Sequence, residues 1–365
     1  MSARHSSPRR RRLVLRVALG VAATAMVSCG SSSASTHPSG TSTRRAPHHG
    51  GRAVPSTVTV HMPPWALPNP LSRMVVLDGG PGQLTILGGL TAGDTSANGV
   101  FRLDLADGQL TAVSTLPDAV HDAAGAQLAG RDLVIGGGST STIAAVQGVP
   151  TGGGAATVLA QLPQPRSDDS ATMVGSTAVI AGGYDGTVAD PAVLTTTDGT
   201  SFTTVGSLPV PVRYTTLAAI GHDVYAFGGL AVSGPGAGLP VADVQRIDIQ
   251  NGSAAVVAQL PQPLEGASAF VLGGRIFVAG GDTARASTGA LTSSSTIWAF
   301  HQAATTGSVA TSRRGARRSA FSAAGTLGEA VSNAGVAVAG STAWLIGGEH
   351  DGTPVTAVQQ IRATN

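Results

Sequence analysis

The stretch 208–229, LPVPVRYTTLAAIGHDVYAFGG, is a unit that the chain repeats. A Leu-Pro opening leads through a short polar loop into two β-prone runs and stops at Gly-Gly. Twenty positions separate Leu208 from Gly228, and the same interval separates Leu116 from Gly136, Leu162 from Gly182, Leu260 from Gly280 and Leu327 from Gly347; Leu67 and Gly88 are twenty-one apart. Six copies of nearly constant length fix the architecture before any single residue is read. Each copy must be one supersecondary unit that buries its apolar faces against its neighbours.

Within a copy the first run is small and apolar, as in TTLAAI (215–220), SATMV (170–174) and ASAFVL (267–272). A glycine usually follows, at Gly130, Gly175, Gly221 and Gly273-Gly274. The second run is apolar throughout: DLVI, TAVI, DVYAF, RIFVA, AWLI. Two such runs around a Gly turn predict a hairpin. Small residues suit a strand crowded against an axis, and unbroken apolarity suits a strand covered on both faces. After Gly-Gly come a variable loop and two weaker strands joined by Asp107-Gly108, Asp198-Gly199 or Asn251-Gly252, which are tight-turn pairs. Four antiparallel strands per unit of this period predict propeller blades.

The LP-x-P openings (LPNP, LPQP, LPVP, LPQP) and the Gly-Gly after the second strand resemble the Kelch family of β-propellers over residues 56–365. The outer strands depart from that pattern: the family's usual Tyr and Trp are mostly replaced by Arg102, Arg246 and small residues. The resemblance implies a fold and says little about chemistry, which resides in sites carried on the fold.

The chain opens on MSARHSSPRRRR, a basic segment, followed by the apolar stretch LVLRVALGVAATAMVS and then Cys29, the sole cysteine. Residues 1–28 read as an export signal. Met26-Val27-Ser28-Cys29 resembles a bacterial lipobox, which implies cleavage before Cys29 and a lipid on its sulfur. The plain alternative is an ordinary secretory signal. The expected location is the outer face of the cytoplasmic membrane or the cell surface, with acyl chains as the anchor. A single cysteine excludes a disulfide framework. Residues 29–55 are rich in Ser, Thr, Gly and Pro and read as a disordered tether, in which His48 and His49 are solvated rather than metal-binding.

The basic balance of the whole chain misleads. Six of the 22 arginines lie in the signal and none of the 20 acids does, leaving a net charge of −4 beyond it. A nucleic-acid partner then lacks its electrostatic motive. The chain has no Lys, which removes P-loop and Schiff-base chemistry. It also lacks a GxSxG elbow and an HExxH motif, so no cofactor and no metal is expected. Galactose oxidase shares the propeller class, but its Tyr–Cys crosslink has no counterpart here.

The two chain ends complement each other. VPSTVTVHMPPWALP (54–68) reads like an outer-strand ending with no blade before it, and the last unit stops one strand short at TAVQQIRATN (356–365). The expectation is an all-β, six-bladed propeller over 56–365, closed by Thr57–His61, and a monomer. Seven blades is the alternative, should the Arg-rich insertion at about 302–326 hide a degenerate unit. The arginines there (313, 314, 317, 318) read as an exposed loop that would suit an anionic polymer or lipid headgroup.

In this strand order the loop entering the inner strand and the loop after Gly-Gly share one face and ring the channel mouth. The position fifteen before each Gly-Gly is Arg73, His121, Ser167, Arg213, Glu265 and Ser332, and the next is Met74, Asp122, Asp168, Tyr214, Gly266 and Asn333. The candidate ligand rim comprises Arg73, His121, Arg166, Asp168, Arg213, Tyr214 and Glu265, completed by Tyr184, Asp185, Asp282, Glu349, His350 and Asp351 from the loops after Gly-Gly. Arg73, Arg166 and Arg213 would fork onto a carboxylate and Tyr214 would stack on a sugar face. The structural alternative is an Arg–acid plug, for instance Arg213 with Glu265. The leading reading is an envelope lipoprotein that binds a protein or glycan without chemistry. The second is a sugar-processing enzyme similar to the Kelch-type N-acetylneuraminate mutarotases, with Glu265 as base, His121 as acid and Arg213 as clamp. The third is a rigid spacer.

Overall fold

Small inner strands, fully apolar second strands and Gly-Gly stops fold as their pattern predicts. The computed structural model describes residues 54–234, 236–284, 290–302 and 319–364. Six four-stranded antiparallel sheets form a ring, with no seventh blade among the described residues. From the axis outward, blade 1 is Val75–Asp78, Gln83–Leu87, Gly99–Asp104 and Leu110–Thr115. Blade 2 begins at Ala124–Leu128, blade 3 at Ser167–Val174, blade 4 at Thr216–Ile220, blade 5 at Ser268–Leu272 and blade 6 at Gly335–Ala339.

The ring closes as expected. Blade 6 lacks an outer strand of its own, and Thr57–His61 pairs antiparallel with Val358–Thr364 to supply it, with Val60 opposite Ile361. Blades 1 to 5 each carry a register shift between third and fourth strands, at Val100/Phe101 in blade 1 and Val244/Gln245 in blade 4 for example. The closing pair in blade 6 is regular. Such a bulge raises local twist and bends the strand.

The hydrophobic core is not a single centre. It consists of wedges between neighbouring blades: Phe227, Phe300 and Phe321 fill the gap between blades 4 and 5, and Phe277 and Leu345 that between blades 5 and 6. Second-strand residues such as Val179 and Ile180 are fully buried because each faces a different neighbouring blade.

Gly-Gly makes the blade-to-blade joint. The amide of Gly89 donates to the Val120 carbonyl of the next blade's entry loop at 2.8 Å, and Gly229 does the same to Leu264 at 2.8 Å. A Cβ on Gly88 would lie 2.6 Å from the Val120 oxygen, so only glycine permits this approach. A second joint is less visible. Gln147, Gln245 and Gln359, buried in the third strands of blades 2, 4 and 6, each use their side-chain amide to hold both backbone groups of one entry-loop residue: Asp118, Val210 and Glu329.

Two sequence boundaries move. Phe321–Thr326 is the outer strand of blade 5, paired with Thr296–Phe300, so the stretch read as an insertion ends before it. Its arginines, the export segment with Cys29 and the tether up to residue 53 lie outside the described residues, while Pro55, read as tether, is buried and accepts from Arg275 at 2.7 Å.

Candidate functional site

The entry loops meet at the axis in a closed belt. Arg73, Asp122, Asp168, Tyr214, Gly266 and Asn333 all have left-handed backbone, with φ from 50° to 58°. Each amide donates to the carbonyl of its counterpart in the preceding blade at 2.7–3.0 Å, and Arg73 closes the circle onto Asn333. Left-handed backbone is unfavourable for L-residues, and this hexagon of hydrogen bonds holds it in place.

The belt corrects one register. Counting back from Gly-Gly placed Arg73 beside His121 and Met74 beside Asp122. In the structure Arg73 belongs with Asp122, Ser72 takes the place expected for Arg73, and Met74 is 6 % exposed in the blade 6–blade 1 core. The extra residue of the first copy lies in the hairpin turn between Asp78 and Gln83, downstream of the mouth. Counting forward six from the opening leucine, which is followed by Pro in five copies and by Gly328 in the sixth, gives the right register in all six.

Arg73 lies across the mouth. Its Nε and Nη2 fork onto Glu349 at 2.5 and 3.0 Å, and its Nη1 reaches Asp122 at 3.0 Å and the Tyr214 hydroxyl, from the opposite blade, at 2.9 Å. Burial opposes its charge, but Asp122 and Glu349 more than offset that and hold it firmly protonated. Burial likewise works against Glu349, yet Arg73, Asn333 and Ser72 keep its carboxyl below the ordinary range. Arg213 is clasped between the rings of Tyr184 (4.7 Å) and Tyr214 (4.5 Å), and donates to the Tyr214 hydroxyl at 2.8 Å. Its ionic partner is Asp168 at 2.7 Å, not Glu265. Burial, then Asp122 and Asp168, push the Tyr214 phenol up, so it stays neutral.

The carboxyls outnumber the cations. Asp122, Asp168, Glu265, Asp282 and Glu349 surround two guanidinium groups. Burial pushes Asp168 up to about 7, with the charge of Asp122 adding to the effect and Arg213 opposing it. Burial also lifts Glu265 to about 7, with Asp282 adding to the effect and Arg73 and Arg213 opposing it. Asp282 is raised by burial against the pull of the Ser293 and Ser332 hydroxyls. Glu265 Oε2 and Arg213 Nε are buried here without a hydrogen-bond partner, whereas Asp168 Oδ2 is held by Arg213. Below the belt lies a cavity of about 170 Å³ lined by Val76, Ala171, Thr216 and Val336 among others.

Several sequence candidates sit elsewhere. Arg166 is 1 % exposed; it points into blade 3, where it bonds the Gly182 and Ala192 carbonyls and pairs with Asp190, so it is a structural cation and not a rim residue. Asp185 caps its own turn through the amides of Thr187 and Val188 and does not reach the mouth. His350 is exposed, with its Nδ1 on the Ala330 carbonyl. His121 bonds Ser96 at 2.9 Å and stands 3.7 Å from Asp122, at the edge of the mouth. Asp169 escaped the sequence reading; burial lifts its carboxyl well above normal, with Arg166 the main opposing charge.

Chemically the mouth offers charge, hydrogen-bond acceptors and two carboxyls near neutrality. Among the described residues, no group of three His, Cys, Asp or Glu is placed to hold a metal. The His301–Ser322 contact of 2.8 Å is not a nucleophile–base pair. Arg275 only donates, so the His301 Nδ1 it meets at 2.7 Å must accept; the Nε2 therefore carries the proton.

No protein-family profile matches the chain, and no curated protein matches it. Among solved structures it is similar to one titled "Structure of YjhT", with 16 % identity, a TM-score of 0.65, and coverage of 81 % of this chain and 95 % of that one. At that identity the likeness establishes a shared β-propeller fold and nothing more.

Proposed function

We propose that this protein is a binding propeller of the cell envelope. It is exported, anchored through a lipid on Cys29, and holds a hydroxyl-rich glycan over its channel mouth without transforming it. The observation that supports a ligand is the set of partnerless buried atoms at the mouth, Glu265 Oε2 foremost. A mouth built only as a plug has no use for them, since an unsatisfied buried acceptor costs about 1–3 kcal/mol. Hydroxyl donors of a sugar would satisfy them. The carboxylate clamp expected from the arginines loses support, because Arg73 and Arg213 already hold Glu349 and Asp168.

A second reading has one observation behind it. Glu265 and Asp168 near pH 7 have the poise of a general acid or base, which suits sugar ring-opening. The third, a rigid spacer, is favoured by the Arg73–Tyr214 bar. One experiment separates all three: thermal unfolding of the purified protein with neutral oligosaccharides, beside NMR exchange between sugar anomers. A ligand at a hundred times its Kd adds about 2.7 kcal/mol. Stabilisation without faster exchange upholds binding, faster exchange replaces it by catalysis, and no response to any glycan leaves the spacer.

A further inference from the structure

The proposed glycan site has a charge problem that identifies its ligand more closely. Arg73 is shared by Glu349, Asp122 and the Tyr214 hydroxyl. Arg213 is committed to Asp168 and to two tyrosine faces. Asp282 takes two serine hydroxyls. Glu349 takes Ser72 and Asn333 as well as Arg73. Glu265 is left over: it is 7 % exposed, its Oε2 bonds nothing, and the charges it faces are Asp282, Arg73, Arg213 and Glu349. Once Glu265 and Asp168 ionise, above about pH 7, the carboxylates outnumber the two cations, so an added anion meets repulsion and a neutral hydroxyl leaves the imbalance standing. A cation with several N–H donors would correct it.

Resting on the glycan reading above, we infer that the ligand is an amino sugar whose protonated amine seats on Glu265. The ammonium supplies three donors, enough for the orphaned Glu265 oxygen and neighbouring acceptors, while the ring hydroxyls address the Tyr184–Arg213–Tyr214 stack. The carboxyl facing the amine must be ionised to pair with it, so any proton it carries leaves on binding. Glu265 at about 7, raised by burial and by Asp282 against Arg73 and Arg213, places that release near neutral pH.

The test is NMR titration of the purified protein with 6-amino-6-deoxyglucose, glucosamine, glucose, N-acetylglucosamine and glucuronate. The amino sugars are expected to bind at least tenfold more tightly than glucose or N-acetylglucosamine, with glucuronate weakest. For 6-amino-6-deoxyglucose, whose alkyl amine stays protonated throughout, affinity should rise roughly eightfold from pH 6 to pH 7.5 as the carboxyl ionises. Glu265→Gln should remove the preference for the amine, so that the amino sugars bind that variant no more tightly than glucose does. The pH series on the unaltered protein tests the same point if that variant fails to fold. Equal binding of glucose and amino sugars, or a flat pH series, overturns the amine inference and leaves the glycan reading intact. Preference for glucuronate overturns the inference in favour of an anion clamp, and no binding by any sugar overturns both.

Discussion

Replacing Asp168 by Asn should stabilise this protein, and only above a definable pH. Asp168 is 4 % exposed, and burial, followed by the neighbouring Asp122, raises its carboxyl from 3.8 to about 7. The native state therefore binds this proton more tightly than the unfolded chain does. Its contribution is fully favourable below pH 3.8 and is lost as pH rises through about 7. At 1.36 kcal/mol for each pH unit, the loss by pH 8 is of order 4 kcal/mol. Asn keeps the shape and never ionises. The expected gain over the unaltered protein is about 2–4 kcal/mol at pH 8, shrinking to under about 1 kcal/mol at pH 4. Urea unfolding of both proteins from pH 4 to pH 8 reads it directly, because other groups cancel in the difference. A variant less stable than its parent at pH 8 would mean that the Arg213 ion pair outweighs desolvation. A difference that does not change with pH would mean that Asp168 stays charged in the native state. Either result sinks the reasoning.

Other perturbations test the frame around the mouth. Val58→Asp puts a carboxylate into the closing strand where it packs on Gly325 and Phe270, and should cost roughly 3 kcal/mol or more, seen as a lowered Tm and early proteolysis at the chain ends. Arg166→Ala strands Asp190 without its cation and the Gly182 and Ala192 carbonyls without their donor; a loss of about 3–5 kcal/mol in chemical unfolding is expected. Gln245→Leu removes both partners of Val210 and should cost about 2 kcal/mol by the same assay, with a small cost instead if water replaces the amide.

How much of this was legible in the sequence depends on how far apart the meeting residues lie. The blade is local: Leu-Pro, two runs and Gly-Gly fall within twenty-odd positions, and in five of the six copies glycine is required at the joint by an entry-loop carbonyl presented in the same place. Ring closure was legible because an orphan strand and a missing strand complement each other across the whole chain. The residues of the mouth were legible as a set, since one register position feeds it from each copy. Their pairing was not. Arg73 meets Glu349 only because the ring closes, 276 positions along the chain, and no local pattern distinguishes a guanidinium that will be occupied from one that will not. Arg166, one residue upstream of the inner strand, shares the composition of the rim but turns into the blade, where two carbonyls and Asp190 hold it. The one-residue shift at Met74 came from measuring through a turn of variable length, whereas the entry loop keeps its length because the belt demands it.

The belt also bears on whether the mouth is a site or a stopper. Six positions must be left-handed for the hexagon of hydrogen bonds to close. Gly266 fits without penalty, and Asp122, Asp168 and Asn333 are of the types that visit this region most readily. Arg73 and Tyr214 are not, yet they occupy it at opposite blades. Glycine at either place would close the belt with about 1–2 kcal/mol less backbone strain. The long side chains therefore offset a cost that ring closure does not impose. They do so by meeting over the axis at 2.9 Å, with Tyr214 bonding both arginines and each arginine facing its ring. A stopper needs bulk alone, which apolar residues would provide without five carboxyls and without leaving Glu265 unpaired. Strain held at the two residues that order the charges, beside an acceptor with nothing to accept, favours the receptor proposed above over a stopper.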